Sequence, residues 1–202
     1  MSRLLDTAKA FEKRGAVVRT FSTAEEAKVA FLESVDITKK VAFGGSMTLQ
    51  NMGLYEALVE RGSEVLWHWK VSSEYAGQMR ADAMKADVYA TSSNALIEDG
   101  RLLNIDGVGN RVAAMFYGPP RVIVIAGKNK LAPDYDSALD RIKTIACPKN
   151  AERLNREVPC RHTGKCSDCR SPHRMCRVTV LIEPPLDASS LEVWLIDEDC
   201  GY

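Results

Sequence analysis

Residues 121–127, RVIVIAG, form an uninterrupted apolar run that follows Gly118-Pro119-Pro120 and precedes a polar loop. This is the strongest strand signal in the chain. A strand that is apolar at successive positions can be buried on both faces, which is typical of a parallel sheet covered by helices. The stretch therefore predicts an inner strand of a parallel sheet.

Strand-like and helix-like segments alternate along the rest of the chain, with short connections. The other predicted strands lie at 16–21, 41–43, 64–69, 87–93, 178–185 and 191–199, with a small hairpin around the turn EDGR (98–101). Helices are predicted between them, including one around 136–145. This alternation predicts an α/β fold with a mostly parallel sheet, as a single domain over residues 1–202. Ligands of such sheets bind beyond the carboxyl ends of the strands.

The composition is that of an ordinary globular protein. The 202 residues are 46% hydrophobic and carry 27 basic and 27 acidic side chains. A net charge near zero argues against a nucleic-acid partner, because phosphate binding needs an excess of lysine and arginine. No apolar run approaches the ~20 residues of a membrane span, and residues 1–15 read as an amphipathic helix instead of an export signal. We therefore expect a cytoplasmic protein, in which structural disulfides are rare.

The first candidate binding loop is FGGSMT (43–48), between a predicted strand and a predicted helix. Gly44 and Gly45 would let the backbone approach a ligand closely, and the free amides of the following helix attract an anion. Ser46 and Thr48 add hydroxyl donors. The alternative is a structural turn, in which the glycines turn the chain and Ser46 caps the helix.

The second candidate loop is NIDGVGNR (104–111), which also leads into a predicted helix. Its candidate ligand-binding residues are Asn104, Asp106, Gly107, Gly109, Asn110 and Arg111. The guanidinium is a natural partner for phosphate or carboxylate, and Asp106 is the candidate catalytic acid or base. The alternative is a turn in which Asn and Asp side chains bond to their own backbone. The density of polar side chains near a helix start favours binding.

Two further loops follow predicted strands. TSSNA (91–95) contributes Asn94 to the candidate site, and GKNK (127–130) contributes Lys128, with Lys130 beside it. Both loops are placed by the same carboxyl-end rule as the glycine loops.

Other titratable groups near these loops have simpler interpretations. Glu98 and Asp99 are expected to be solvated turn carboxylates. In WHW (67–69) the two tryptophans are expected to share one face of a strand, so that His68 points away from it. A structural or surface role is expected for that histidine.

Four of the six cysteines lie in the loop 158–177, with the spacing C-x5-C-x2-C-x6-C. A C-x2-C pair and two flexible arms can present four thiolates to zinc or to an iron–sulfur cluster. The segment from Cys160 to Arg177 contains five basic residues and one acidic residue. This excess of positive charge lowers the pKa of the thiols and so favours the thiolate form. The predicted metal ligands are Cys160, Cys166, Cys169 and Cys176.

Other interpretations of the cysteine loop remain open. The four thiols could be free, or the central pair could be a redox dithiol. His162 and His173 could also replace cysteine as ligands. Cys147 and Cys200 are expected to be ordinary single residues.

Three segments carry a family resemblance: FGGSMTLQNMGL, TSSNALIEDGRLLNIDGVGNRVAAMFYGPPRVIVIAGKNK and PCRHTGKCSDCRSPHRMC. In this order they resemble the LUD-domain family of lactate-utilisation-associated proteins, over roughly residues 5–182. The resemblance implies the three-layer α/β/α fold shared by ribose-5-phosphate isomerases, glucosamine-6-phosphate deaminases and CoA transferases. In that superfamily one glycine-rich loop binds phosphate and a second closes the pocket, and FGGSMT and NIDGVGNR are similar to these two loops.

The chain differs from the isomerases at the positions of their catalytic residues. Thr91 and Asn94 stand where the similar isomerases place two aspartates, and Asp106 lies near the position of their catalytic lysine. An enediol mechanism needs a carboxylate base and a cation, so this chemistry does not transfer. No glutamate occupies the loop context in which CoA transferases place their nucleophile.

Two functions are therefore expected as alternatives. The first is a lactate-utilisation protein whose pocket takes a small anionic metabolite, phosphorylated or carboxylate, as a subunit of an iron–sulfur-dependent lactate oxidation system. The second is a non-catalytic ligand-binding or regulatory protein with a structural zinc knuckle. Neither nucleic acid nor a membrane is an expected partner, iron–sulfur proteins are expected partners of the first function, and homo-oligomers are compatible with both.

Overall fold

The computed structural model describes residues 2–202, and its elements are numbered here in chain order. The strands are β1 (Val17–Phe21), β2 (Val41–Phe43), β3 (Val65–Trp67), β4 (Val88–Thr91), β5 (Ala95–Ile97), β6 (Arg101–Asp106), β7 (Arg121–Gly127), β8 (Leu131–Ala132), β9 (Val178–Ile182) and β10 (Ser190–Ile196). The α-helices are α1 (Arg3–Lys13), α2 (Ala24–Ser34), α3 (Met47–Asn51), α4 (Leu54–Glu60), α5 (Ala76–Ala83), α6 (Asn110–Phe116), α7 (Tyr135–Arg141), α8 (Cys147–Arg153) and α9 (Pro159–Thr163).

Six parallel strands form the main sheet, in the spatial order β1–β10–β7–β4–β2–β3. β7, the RVIVIAG segment, lies between β10 and β4. Val122 and Val124 belong to the core on one face, and Ile123 and Ile125 belong to the core on the other. All four are fully buried. The α/β fold with a parallel sheet, predicted from the apolar run and the alternation of elements, is confirmed.

Helices cover both faces of the main sheet. α2, α3 and α4 contribute to the core on one face, and α1, α5 and α6 contribute to the core on the other. Each helix does so through an apolar stripe, such as Leu4, Ala8 and Phe11 on α1. None of the helices within residues 2–202 combines the length and the apolar character needed to cross a membrane.

A second sheet extends the predicted hairpin. The sequence predicts the β5–β6 pair, and the structure adds a strand on each side to give the order β8–β5–β6–β9. β6 pairs antiparallel with both β5 and β9. Leu96 and Leu102 join the core beneath the main sheet, whereas Ile97 and Leu103 face a separate cluster. This small sheet carries the NIDGVGNR segment at the end of β6.

The helix predicted around 136–145 extends further than expected. α7 runs through a π-helical segment, Ile142–Ala146, directly into α8. The wider turn precedes Pro148, whose missing N–H and bulky ring do not fit a regular α-helical interior. The extension places Cys147 and Arg153 beside the cavity described below.

Gly44→Ala is expected to lower the free energy of unfolding by about 1–3 kcal/mol. A Cβ at this position, directly after β2, would lie 2.5 Å from Thr91 Oγ1 and 2.8 Å from the Tyr89 hydroxyl oxygen. Gly77→Ala is the matched control, because a Cβ there meets nothing within 4 Å, and it should be neutral or stabilising by up to about 1 kcal/mol. Urea denaturation compares the variants, and equal losses in both would contradict the steric argument.

Candidate functional site

The carboxyl ends of three neighbouring strands open onto one cavity. β7, β4 and β2 are adjacent in the main sheet, and each is followed by one of the predicted polar loops. The cavity has a volume of about 440 Å³, which lies within the ~300–1,000 Å³ typical of small-molecule sites. Both glycine-rich segments line it, the first through Ser46 and the second through Asn110. The structure thus brings FGGSMT and NIDGVGNR together on one cavity.

Only part of the first loop reaches the cavity. Gly45 and Ser46 line it, whereas Gly44 is buried against the end of β4. Ser46 Oγ accepts a hydrogen bond from the Leu49 amide at 3.3 Å, so this side chain caps α3. Thr48 is buried deeper, where it contacts a lysine described below.

Arg111 organises the second loop. Its side chain is buried, and all three of its nitrogens donate to protein acceptors. The acceptors are Asp106 Oδ1 (2.9 Å from Nε), Asn104 Oδ1 (2.9 Å), Asn94 Oδ1 (2.7 Å), Ser92 O (3.1 Å) and Ile105 O (3.3 Å). Arg111 was the natural candidate to hold a ligand anion, but its donors are already engaged. Its role in this structure is to hold the loop.

Asp106 uses both carboxylate oxygens in the same network. Oδ1 accepts from Arg111, and Oδ2 accepts from the backbone N–H of Val112 at 3.0 Å. A carboxylate held in this way fixes the start of α6, and its bond to Arg111 stabilises the ionised form. The geometry therefore favours a structural role for Asp106 over the predicted catalytic role. Glu98 and Asp99 form ion pairs outside the cavity, as expected for turn carboxylates.

Some of the remaining candidate residues line the cavity, and others lie behind or beside its wall. Asn94, Gly107 and Asn110 line the cavity. Asn104 is fully buried behind it, where its side-chain oxygen accepts from the Asn94 amide at 2.9 Å. Gly109 lies outside the lining and has a left-handed φ of 90°, which glycine adopts readily, at the start of α6.

The lysine that reaches the cavity is Lys130, and the predicted Lys128 lies outside it. A single 3₁₀ turn, Lys128–Lys130, follows β7 and separates the two side chains. Lys128 is exposed, and its Nζ lies 3.1 Å from Asp197 Oδ1. Lys130 is 3% exposed, and its Nζ lies 2.9 Å from both Thr48 Oγ1 and Ser92 Oγ.

The surroundings of Lys130 disfavour its charged form. Burial, with the positive charges of Arg141 and Arg111, lowers the pKa of Lys130 to about 7. Thr48 Oγ1 donates its own proton to the Cys200 carbonyl at 3.0 Å, so it is an acceptor toward Nζ. A large fraction of this amine is therefore neutral at physiological pH.

Arginines that the sequence analysis did not single out form much of the remaining lining: Arg80, Arg153, Arg156, Arg174 and Arg177. Arg174 pairs with Asp168 at 2.8 Å. The other four form no ion pair within residues 2–202. Asp106 is the only carboxylate of the described residues that lines the cavity, and it is already bound to Arg111. The cavity is therefore strongly positive.

His68 also lines the cavity. Trp67 and Trp69 stack with ring centroids 5.2 Å apart. The strand ends at Trp67, however, and His68 and Trp69 both line the cavity, so the predicted strand alternation does not separate these two side chains. Burial, with the charges of Arg80 and Arg153, lowers the pKa of His68 to about 4. The imidazole is therefore neutral at pH 7 and adds no charge to the cavity wall.

The four predicted cysteine ligands line a second, smaller cavity. Cys147, expected to be an isolated residue, lies next to them with its Sγ 3.4 Å from Cys176 Sγ. This contact lowers the pKa of Cys176 and raises that of Cys147. In the described part of the chain, residues 2–202, no three His, Cys, Asp or Glu side chains are arranged to hold a metal ion. The thiols are gathered without being preorganised as a ligand set.

Comparisons with known proteins give a family and a fold. The model of the LUD domain matches residues 4–186. The crystal structure of a DUF162 family protein from Deinococcus radiodurans is similar with a TM-score of 0.57, covering 97% of this chain and 99% of that chain at 14% identity. At this identity the similarity shows the fold alone. The eIF2B delta structure from Chaetomium thermophilum covers 68% of this chain and 50% of that chain, at 18% identity and a TM-score of 0.34 too low to carry an argument. No curated protein matches the sequence.

Lys130→Met is expected to change how stability depends on pH. The folded-state pKa of Lys130 is about 7, and an unperturbed lysine has a pKa near ~10.4. Between these values the unfolded chain binds a proton that the folded chain does not bind. The wild-type free energy of unfolding should therefore gain up to about 1.4 kcal/mol per pH unit from this group as pH rises. This gain should be absent from Lys130→Met.

Urea denaturation at a series of pH values between these two pKa values measures the effect. Lys128→Met removes an exposed lysine from the same turn and should retain the wild-type slope. A Lys130→Met slope equal to that of the wild type would show that Lys130 titrates normally in the folded protein.

Proposed function

Since the chain belongs to the LUD domain family, which is associated with lactate utilisation, we propose that its cavity binds a small organic anion of that metabolism. The ligand is a carboxylate or a phosphorylated metabolite that fits about 440 Å³. The observation that carries this proposal is the set of four lining arginines without a carboxylate partner.

Like charges that share a partly enclosed cavity repel one another, and a bound anion relieves this repulsion. Arginine suits the task because its planar guanidinium can hold a carboxylate or phosphate with two parallel hydrogen bonds. Arg80 adds a specific indication. Its Nε is buried and has no hydrogen-bond partner within residues 2–202, and an unsatisfied buried donor costs about 1–3 kcal/mol. An oxygen of the ligand would satisfy it.

Arg153 is held in place before any ligand arrives. Its guanidinium stacks on Trp69, 4.3 Å from the ring centroid. Nε donates to the Tyr202 hydroxyl at 2.9 Å, and one terminal nitrogen donates to Asn150 Oδ1 at 2.9 Å. A preorganised donor loses little conformational entropy on binding, so Arg153 supports affinity for an anion.

Arg80→Gln and Arg153→Gln are each expected to weaken anion binding by about tenfold or more, the loss of one charge-assisted hydrogen bond. Isothermal titration calorimetry with L-lactate, pyruvate and inorganic phosphate measures the affinities. Arg170→Gln is the control, because it removes the same charge from an exposed position that does not line the cavity. If none of these anions binds the wild type, the proposed function is wrong.

We propose in addition that the cysteine loop binds a metal centre, either zinc or an iron–sulfur cluster. Support comes from the four thiols that share one small cavity and from the basic side chains around them. A small apolar cluster, which includes Val158, Cys160 and Met175, packs this loop against α8, and Cys176 adds a contact to Cys147. Metal binding would add folding energy there. Because no three ligands are preorganised, the side chains must move to form the site.

The identity of the metal separates two roles for the protein. An iron–sulfur cluster would support a subunit of an electron-transferring lactate oxidation system, working with iron–sulfur partner proteins. A zinc ion would support a structural knuckle in a non-catalytic ligand-binding or regulatory protein.

Cys166→Ser is expected to remove the metal while leaving the α/β core folded, because the loop lies outside the main sheet. Elemental analysis and the visible absorption spectrum of protein purified without oxygen distinguish zinc from an iron–sulfur cluster. Cys200→Ser is the matched control, since Cys200 lies outside the cysteine cavity. Wild-type protein that carries no metal, even after reconstitution with zinc or with iron and sulfide, would refute the metal centre.

A further inference from the structure

Lys130 is a buried amine without a carboxylate partner. Its Nζ contacts two hydroxyl oxygens, and it forms no ion pair within residues 2–202. Lysines are rarely buried to this extent unless they are paired, because desolvation of an ammonium group is costly. A lysine kept for structure alone would be expected to find a carboxylate. The arrangement instead suits an amine that works in its neutral form.

The two hydroxyl contacts leave the amine chemically available. A neutral amine has two N–H groups and one lone pair. Thr48 Oγ1, which donates its proton to the Cys200 carbonyl, can accept one N–H, and Ser92 Oγ can accept the other. In this arrangement neither hydroxyl uses the lone pair, which is left for a ligand. Both Lys130 and Ser92 line the cavity, so a ligand there can reach this amine.

We propose that Lys130 is the nucleophile of a covalent site, in which it forms a Schiff base with the carbonyl carbon of a small oxo acid held by the cavity arginines. A neutral amine reacts with a carbonyl group, and the arginines bind a carboxylate. A molecule that carries both groups therefore suits the cavity. This inference rests on the proposed anion-binding function and adds to it the chemical class of the ligand and the atom that reacts.

The step balances without a redox partner. The Nζ lone pair attacks the carbonyl carbon, and the carbonyl π electrons move to the oxygen. One proton leaves Nζ and one is taken up by that oxygen, which gives a carbinolamine. A second proton, taken up from solvent, lets the oxygen leave as water while the nitrogen lone pair forms the C=N bond. The product is a protonated imine, and release of its proton to solvent gives the neutral Schiff base. Ser92, whose Oγ lies 2.9 Å from Nζ and which lines the cavity, is placed to relay these protons.

Burial and the charged groups around Lys130 set the pH dependence of this step. Desolvation disfavours the ammonium form most, the charges of Arg141 and Arg111 add to this effect, and Cys200 opposes it. With a pKa of about 7, Lys130 should become reactive as pH rises through that value. An exposed lysine such as Lys128 becomes reactive only near ~10.4.

Reduction of the imine by sodium borohydride in the presence of pyruvate tests the proposal on the wild-type protein. Peptide mass spectrometry is expected to find the reduced pyruvate adduct on Lys130, formed at least about tenfold faster than on Lys128 at neutral pH. L-Lactate, which has a hydroxyl in place of the carbonyl, should give no adduct. Lys130→Met should abolish the adduct, and Lys128→Met should leave it unchanged. Mapping the wild-type site keeps the test decisive even if Lys130→Met fails to fold.

A calorimetric titration with pyruvate and L-lactate in the same samples separates this inference from the proposed function. Binding of both acids without an adduct on Lys130 would overturn the Schiff base and leave the anion site intact. Labelling of Lys130 no faster than of exposed lysines would also overturn it. Failure of every anion to bind would overturn the proposed function itself.

Discussion

The hydrogen-bond network of the Arg111 guanidinium is the interaction on which the site depends. It joins the end of β4, the end of β6 and the start of α6 through five acceptors, of which only Asp106 is charged. Burial of an ion pair is costly, but acceptors that satisfy the remaining donors repay that cost. The same network ties the second sheet to the main sheet. Without it, the loop that forms one wall of the cavity would have few other restraints.

This use of Arg111 determines the charge of the cavity. The chain as a whole is neutral, with 27 basic and 27 acidic side chains, yet the two kinds of charge are not evenly distributed over the structure. Asp106, the carboxylate at the cavity, is paired with Arg111. Four lining arginines have no ion-pair partner among residues 2–202: Arg80, Arg153, Arg156 and Arg177. Local geometry therefore creates an anion-attracting field that the overall composition does not reveal.

The sequence predicted the sheet, and the edge at which the cavity opens, better than the residues that line the cavity. RVIVIAG predicted a buried parallel strand because its pattern is local, and the carboxyl-end rule then located FGGSMT after β2. NIDGVGNR reaches the same cavity from β6 of the second sheet, to which that rule does not apply. Lys128 and Lys130 could not be distinguished, because a single 3₁₀ turn decides which one points inward. The cavity arginines and Cys147 come from α5, from α8 and from the loops after α8, which meet only in the folded chain. The positions of Cys147 and Arg153 depend on the continuous α7–α8 helix, which extends beyond the end predicted from the sequence.

The two cavities share a wall, which connects the two proposed functions. Arg174, Met175 and Cys176 line both of them, and Arg177 follows directly on the anion side. A metal that ordered the cysteine loop would therefore also fix two of the arginines that face the anion. Coupling between two binding equilibria is reciprocal, so a bound anion would in turn favour the ordered loop and its metal. The cysteine loop is thus best regarded as a part of the proposed anion site, because the segment that carries the thiols also contributes arginines to the cavity.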